Sequence, residues 1–447
     1  MPRVRDTPML RILMLSWEYP PVVHGGLGRH VAALAAALVE LGHEVTVVAP
    51  GATGLNGTGL NGTALNGTGL NGTGLNGGPD ADADARADSG MAHVTVLHPD
   101  PVDPIVPLAV GDLHGHVATL GAALARTALQ AGNDAAAAGR PFDVLSAHDW
   151  VVAQAAVTVS TGLRLPLVAT LHATEAGRHQ GWLPGDLSRS IHATEGWLTA
   201  AATRTVVCSE SMRRDVQRLF ALSHDRVEVV PNGVDLARWP SGPAVSAREP
   251  LVVFAGRLEY EKGVQVLLRT VARLRRRVPG VRVVIAGTGT YEAELRTLAT
   301  KLRLGRAVRF AGRLGDDGLA DLYRSAAAVA VPSIYEPFGL VALEAAACGA
   351  PLVVTETGGL AEFADGGRTA LAVAPDDVAA LADGLTSVLL DPDLADKLAT
   401  SAREAVDAHG WRSVAHRTAE IYAEVVAHPQ ATRFSPPLPP KDANLLR

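Results

Sequence analysis

The stretch that decides the fold is AVAVPSIYEPFGLVALE, residues 328–344. Its first four residues are apolar and predict a buried strand. A loop follows, and the apolar pattern after it predicts a helix that begins near Phe338. Strand, loop and helix in this order are typical of one βα unit of a parallel sheet. The loop would place Glu336 at the start of the helix, where the amides of Gly339 and Leu340 can bind an anion.

The same pattern recurs on both sides of this stretch. Short apolar runs alternate with helical patterns over most of the 447 residues, as in a doubly wound parallel sheet. A first series predicts strands at 10–16, 44–49, 94–97, 142–146, 167–171, 205–208 and 227–230. A second series predicts strands at 251–255, 281–286, 308–310, 328–331, 351–355 and 370–373. The predicted fold class is therefore α/β, with two Rossmann-like domains.

The interruption between the two series sets the predicted domain boundaries. We expect an N-terminal domain over 1–231, a proline-containing linker over 232–248 and a C-terminal domain over 249–410. A last helix is predicted at 411–428, where it can pack back on the N-terminal domain. The proline-rich segment 429–447 is predicted to be a disordered tail.

Residues 51–90 differ in composition from the rest of the N-terminal domain. Gly-Leu-Asn-Gly-Thr recurs there with a period of five, and a stretch rich in alanine and aspartate follows. Such a sequence buries too little apolar surface to order itself, so it is predicted to be a flexible, low-complexity insertion. Asp82 and Asp84 imitate a metal-binding Asp-x-Asp pair, but we assign no metal to them because of this setting.

The composition argues against several classes of protein. A net charge of −6 and a pI near 6.2 give no reason to expect nucleic-acid binding. The sequence has no apolar run of about 18 residues, so no transmembrane segment is predicted, and the first strand begins too early for a signal peptide. Two cysteines without metal-ligand spacing are typical of reduced thiols in the cytoplasm, which is the predicted location.

A glycine-rich loop, HGGLG at 24–28, follows the first predicted strand. Amides without side chains can approach an anion there, and the start of the next helix adds partial positive charge. The spacing is not GxGxxG and no P-loop lysine follows, so neither a dinucleotide fold nor a P-loop is supported. Glycines that only make a tight turn are the alternative.

A second loop, GRLEYEKG at 256–263, follows the first strand of the C-terminal series. It carries Arg257 and Lys262, which can bind a diphosphate together, because arginine supplies a fork of donors and lysine a mobile point charge. Ordinary surface charges are the alternative. Glu336 and Glu344 add two carboxylates, the second about two turns into its helix, on the face of Val341. Carboxylates suit vicinal hydroxyls, so one can bind a hexose and the other a ribose; a solvated side chain is the alternative for Glu344.

Together these motifs resemble the retaining glycosyltransferases of the GT-B fold, of family 4, and in particular actinobacterial glycogen-synthase-like α-1,4-glucosyltransferases. The resemblance covers about residues 10–425 and implies two Rossmann-like domains facing each other across a cleft, with the acceptor in the first and the donor in the second. It rests on GRLEYEKG at 256–263 and on PSIYEPFGLVALE at 332–344. Further motifs that carry it are SWEYPPVVHGGLGRHV at 16–31, HDW at 148–150, HATEAGRHQGW at 172–182, VPNGVD at 230–235 and TGGL at 357–360.

The resemblance implies four catalytic residues. Arg257 and Lys262 would bind the donor diphosphate and stabilise the leaving group. Glu336 would hold the hydroxyls of the donor sugar, and His172 would lie beside the anomeric centre and the 6-hydroxyl.

It also implies binding residues. The donor would be bound by the amides of the glycine loops and, at its ribose, by a carboxylate; these residues are Gly25, Gly26, Gly339, Leu340 and Glu344. The acceptor would meet Asp149 and Trp150, whose ring can stack on a sugar.

The activity that follows is transfer of glucose from UDP-glucose or ADP-glucose to the non-reducing end of an α-1,4-glucan, a glycogen-like or methylglucose-type polysaccharide. Configuration would be retained, and no metal or other cofactor would be needed, since protein cations serve the leaving group. The nucleotide base of the donor is not assigned, because Val23 and His24 stand where bacterial ADP-glucose enzymes carry Lys-Thr.

Other functions are compatible with parts of this pattern. A mannosyl- or other hexosyltransferase acting on a lipid or small-molecule acceptor is the nearest alternative, and a non-catalytic nucleotide-sugar sensor is another. An NAD-dependent oxidoreductase is not supported without GxGxxG. The arginines at 213–218 and 269–277 are interpreted as solvated helix faces, so peripheral membrane contact is not expected.

Overall fold

The structure is a computed structural model that describes residues 8–23, 26–51, 93–99 and 113–428. The predictions made for Gly25, for most of the insertion at 51–90 and for the segment 429–447 concern residues outside these ranges.

A seven-stranded sheet forms the first layer of regular structure, in the order β3-β2-β1-β4-β5-β6-β7. The pairs from β3 to β5 are parallel. The strands are β1 (Arg11–Leu15), β2 (Glu44–Val48), β3 (Thr95–Leu97), β4 (Val144–His148), β5 (Leu167–Leu171), β6 (Arg204–Val207) and β7 (Val227–Val229). The strand order reverses between β1 and β4, which places the loops that follow these two strands on either side of a crevice.

A second sheet has six strands in the order β10-β9-β8-β11-β12-β13, and all its pairs are parallel. The strands are β8 (Leu251–Ala255), β9 (Arg282–Ala286), β10 (Val308–Gly312), β11 (Ala328–Val331), β12 (Leu352–Thr355) and β13 (Leu371–Val373). Here the order reverses between β8 and β11. The strands that flank this reversal are buried along nearly their whole length, as expected where helices cover both faces.

Helices connect and cover the strands. In chain order they are α1 (Gly26–Glu40), α2 (Leu113–Ala137), α3 (Ala153–Leu163), α4 (Glu175–Arg178), α5 (Gly185–Ala201), α6 (Glu210–Phe220), α7 (Val264–Arg277), α8 (Glu292–Lys301), α9 (Asp316–Ser325), α10 (Leu340–Ala347), α11 (Gly358–Ala364), α12 (Val378–Leu390), α13 (Pro392–Val406) and α14 (Trp411–Ala427). No helix among the described residues is both long and apolar enough to cross a membrane. The predicted α/β class with two parallel-stranded domains is confirmed.

The chain divides into two compact units. The first comprises the described residues of Met1–Val206, Val216–Glu228 and Ala415–Arg447, and the second those of Val207–Asp215 and Val229–Val414. Most of α14 belongs to the first unit: Tyr422 is fully buried there and its hydroxyl donates to Ser146 Oγ of β4 at 2.8 Å. Arg417 of the same helix forms an ion pair with Glu228 at 2.9 Å.

Two of the differences between predicted and observed boundaries have a clear structural cause. Helix α10 begins at Leu340 rather than near Phe338, because Gly339 adopts a left-handed conformation (φ 102°) that is incompatible with a helix. Strand β4 extends to His148 rather than ending at Ser146, because its pairing with β5 continues until His148 lies opposite Thr170. His148 is thereby a buried strand residue.

Candidate active site

In the second unit, the loops after β8 and β11 meet at the strand-order reversal. The amide of Ile334 donates to the carbonyl of Glu261 at 2.7 Å, which joins loop 256–263 to loop 332–339. Gly263 has φ 71°, and a Cβ there would collide with the carbonyl oxygen of Pro332. Only glycine accepts both this conformation and this approach. The glycine at the end of GRLEYEKG therefore allows the two loops to touch.

This contact brings together two of the predicted catalytic residues. Lys262 Nζ donates to Glu336 Oε2 at 2.9 Å, and the two side chains are 17% and 14% exposed. Ser333 Oγ donates to the same oxygen at 3.2 Å. Arg257 lies on the same loop as Lys262 and pairs with Glu261 at 3.2 Å. Two cations therefore lie in this crevice, and each is paired with a carboxylate. An anionic ligand can replace these carboxylates as the partner of the cations.

The loop before α11 supports Glu336 from the other side. The amide of Gly359 donates to the carbonyl of Glu336 at 3.1 Å. A Cβ at Gly358, where φ is 50°, would strike the same carbonyl oxygen. The TGGL motif therefore packs directly against the loop that carries Glu336.

The predicted donor-binding residues of α10 lie next to this loop. Gly339 precedes the helix and Leu340 is its first residue, so both lie at its N-terminus. Glu344 lies one turn into the helix rather than the predicted two, because α10 begins at Leu340. The hydroxyl of the buried Tyr323 donates to Glu344 Oε2 at 3.5 Å. The ribose role predicted for Glu344 stays a prediction.

In the first unit, the loop after β1 leads into α1. Gly26 is the exposed first residue of this helix, as an anion-binding amide would need to be. Two residues on, the amide of Gly28 donates to Glu18 Oε2 at 3.3 Å, and a Cβ on Gly28 would lie 3.0 Å from Val23 Cγ2. Gly28 thus has a packing role.

Asp149 follows β4 directly, and its φ of 64° and ψ of 170° lie in a region that is almost restricted to glycine. Its Oδ1 accepts the amide of His172 at 2.8 Å, and its own amide donates to the carbonyl of Thr170 at 2.9 Å. Burial raises the pKa of Asp149 to about 6, partly offset by the bond from the His172 amide and by Arg178. Asp149 therefore positions the backbone that carries His172.

A pocket in this unit is lined by both Asp149 and the predicted acceptor residue Trp150, together with Trp17, Glu175, Arg178 and Glu195. The pocket is small, with room for about one water molecule, so the acceptor roles predicted for Asp149 and Trp150 stay predictions.

The carboxylates of this pocket belong to a buried polar network. Glu195 Oε1 accepts the amide of Glu175 at 2.8 Å, and Glu175 Oε1 accepts Ser188 Oγ at 2.5 Å. His179 Nε2 lies 3.1 Å from the same oxygen of Glu175. Burial raises the pKa of Glu195 to about 7, partly offset by His192, whose Nδ1 lies 3.8 Å from Oε2, and by the hydrogen bond from the Glu175 amide.

His172 lies directly after β5 and faces two further histidines, His30 of α1 and His148 of β4. His148 Nδ1 is 3.2 Å from His172 Nε2, and the rings of His30 and His172 meet edge to face at 4.6 Å. Burial lowers the pKa of His172 to about 4. It also lowers the pKa of His148 well below its ordinary value, with the two neighbouring histidines adding to the effect. The imidazoles of His148 and His172 are therefore neutral at pH 7.

Several residues at these places had no predicted role. Ser333 and Glu261 contact Glu336 and Arg257, and both lie within motifs that were already identified. Glu175 and Arg178 lie in HATEAGRHQGW, so their proximity to a strand end was a signal. The sequence distance between Glu175 and Glu195 hid their contact.

Solved structures define the class to which this fold belongs. Sucrose-phosphate synthase from Thermosynechococcus elongatus is similar at TM-score 0.72 and 21% identity, over 94% of this chain and 99% of that one. The catalytic domain of starch synthase IV from Arabidopsis thaliana, bound to ADP and acarbose, is similar at TM-score 0.67 and 16% identity, over 94% and 100% of the two chains. The fold is that of the GT-B glycosyltransferases.

Sequence relatives narrow the class. Residues 238–405 match the family described as glycosyl transferases group 1, and residues 85–238 match glycosyltransferase family 4. Glycogen synthase of Mycobacterium tuberculosis (strain ATCC 25618 / H37Rv) is 40% identical, over 92% of this chain and 94% of its own. An uncharacterized glycosyltransferase of Methanocaldococcus jannaschii is 30% identical, over 92% and 98%. The chain belongs to this glycosyltransferase family and is a hexosyltransferase; the similarity to glycogen synthase supports a glucosyltransferase.

Proposed function

We propose that the protein transfers glucose from UDP-glucose or ADP-glucose to the non-reducing end of an α-1,4-glucan, with retention of the anomeric configuration. The observation that carries this proposal is the pairing of Lys262 with Glu336 at the strand-order reversal of the second sheet. The similarity to glycogen synthase supports glucose as the sugar and a glucan as the acceptor.

Breaking the bond between the sugar and the diphosphate leaves negative charge on the departing phosphate. Lys262 and Arg257 supply two cations at one loop, and the helix α10 begins beside them with Gly339 and Leu340. Charges that are already in place stabilise such a leaving group without reorganisation. When the diphosphate binds Lys262, Glu336 is released to accept hydroxyls of the donor sugar.

Retention follows in this proposal from the position of the leaving group. The acceptor hydroxyl attacks from the face on which the diphosphate departs, and the departing phosphate oxygen takes its proton. His172 lies beside the anomeric centre, and Asp149 holds its backbone. The acceptor glucan binds at Asp149 and Trp150, as the resemblance implies. Transfer needs no metal, because the protein cations supply the positive charge.

The test is a donor and acceptor matrix. Purified full-length protein is incubated with UDP-glucose, ADP-glucose or GDP-mannose, with and without maltooligosaccharides, and nucleotide release is measured. We expect release with at least one glucose donor and its increase by the acceptor. Release with GDP-mannose alone would contradict the proposal. Proton NMR of the product then reports the linkage: an α-1,4 bond supports retention, and a β bond refutes it.

A further inference from the structure

Three histidines converge at the carboxyl ends of the first sheet, from α1, β4 and the residue after β5. One ring nitrogen each of His30, His148 and His172 lies within 4.8 Å of the others. We propose that this cluster is a binding site for a divalent transition-metal ion, zinc in the first place, and that the ion inhibits the enzyme rather than serving its reaction.

The spacing of the nitrogens fits this ion. Zinc binds imidazole nitrogens at about 2.0–2.1 Å in tetrahedral geometry, which puts neighbouring nitrogens about 3.3 Å apart. Nδ1 of His148 and Nε2 of His172 are already 3.2 Å apart. A displacement of the His30 ring of at most about 1.5 Å completes the triad. A buried set of three imidazoles favours zinc and its neighbours over magnesium or calcium, which prefer oxygen ligands.

The surroundings orient two of the ligands. His148 Nε2 lies 3.4 Å from Ser146 Oγ, which in turn accepts the hydroxyl of Tyr422 at 2.8 Å. A proton on Nε2 leaves the Nδ1 lone pair directed at the cluster, and outer hydrogen bonds of this kind raise metal affinity. Asp149 Oδ1 accepts the amide of His172 and thereby fixes the backbone that carries this ligand. Three histidines leave a fourth ligand position for water.

Inhibition rests on the proposed function. If His172 lies beside the anomeric centre, an ion bound to its Nε2 competes with the donor sugar. Zinc is therefore expected to raise the KM for the donor, and a chelator is expected to reverse this effect.

Binding is tested first, without reference to activity. Untagged full-length protein, stripped with EDTA, is dialysed against zinc chloride, and bound zinc is measured by elemental analysis; cobalt(II) gives a second readout through its visible absorption in tetrahedral sites. We expect one ion per chain, and in His30→Gln an affinity lower by at least about tenfold. His224→Gln, at an exposed histidine, is the matched control and should bind as the wild type does. Absence of bound zinc, or equal binding by His30→Gln, overturns the proposal.

Thermal unfolding in EDTA shows whether His30→Gln is folded, and His148→Gln provides a second variant if it is not. In the activity assay, zinc should inhibit the wild type and leave His30→Gln, which is expected to keep its basal rate, at least about tenfold less sensitive. Equal sensitivity of the wild type and His30→Gln to zinc overturns the proposal that the bound ion inhibits the enzyme. If no donor supports turnover, the proposed function fails while the binding result still decides the metal site.

Discussion

Lys262 and Glu336 form an ion pair of 2.9 Å although 74 residues separate them. Each lies in a loop after one of the two strands at which the order of the second sheet reverses. The pair is possible because Gly263 lets its loop approach Pro332 more closely than any other residue would. The ion pair at this crevice therefore depends on the backbone conformation of Gly263.

Removing the Lys262 charge should lower kcat strongly and change the free energy of unfolding little. Lys262→Ala deletes a cation that serves the leaving group, so we expect a loss of about 10²–10³-fold in kcat, the size seen when one preorganised electrostatic group is removed. Lys301→Ala, at an exposed lysine of α8, is the control and should keep its rate. Near-full activity of Lys262→Ala would refute the assignment.

Gly263→Ala should destabilise the protein more than an ordinary left-handed glycine substitution does. Gly280 also has a positive φ, 82°, but a Cβ there has no neighbour within 4 Å. Gly280→Ala is therefore expected to cost about 1 kcal/mol in the free energy of unfolding, from strain alone. Gly263→Ala adds the collision with Pro332, so we expect a cost of about 3 kcal/mol or more. Urea unfolding measures both variants, and equal costs would contradict the close approach.

Glu195→Gln should change how stability depends on pH. Burial raises the pKa of Glu195 to about 7 from an ordinary value of 4.5, so between these two pH values the folded state binds more protons than the unfolded state. The contribution of Glu195 to the stability of the wild type therefore falls as pH rises through this window. Glutamine does not titrate. Between pH 5 and pH 8 the free energy of unfolding of the variant should therefore rise relative to that of the wild type by up to about 3 kcal/mol.

Chemical unfolding of both proteins at the two pH values measures this difference. Glu294→Gln, at an exposed glutamate of α8, should show no such change relative to the wild type. A difference between Glu195→Gln and the wild type that is independent of pH would show that Glu195 is charged throughout.

Substitutions of Asp149 should separate its charge from its shape. Asparagine has nearly the shape of aspartate and can still accept the His172 amide, so the free energy of unfolding of Asp149→Asn is expected to lie within about 1 kcal/mol of the wild-type value. Asp149→Ala leaves this buried amide without its acceptor and strains the backbone, at a cost of about 2–4 kcal/mol. Denaturant unfolding at pH 7 compares Asp149→Asn and Asp149→Ala with the wild type. Equal free energies of unfolding of the two variants would exclude a positioning role for Asp149.

The regular structure was predictable because it depends on local pattern. Each of the thirteen strands among the described residues was expected within about two residues of its observed start, since buried parallel strands are continuous apolar runs. Errors arose where an interaction beyond the local pattern decided the boundary. Pairing with β5 extended β4 to His148, and the left-handed Gly339 delayed the start of α10.

The sequence by itself determined the two series of βα units, the loops with Arg257, Lys262 and Glu336, and the glycines that these loops need. These features follow from periodicity and from residue types that are close together in the chain. Only the tertiary structure decided that Lys262 contacts Glu336, that Glu175 and Glu195 share one pocket, and that three histidines meet at the end of the first sheet. The order of strands in a sheet sets such meetings, and burial sets the pKa values that result. Both depend on contacts between distant segments, which a local pattern does not encode.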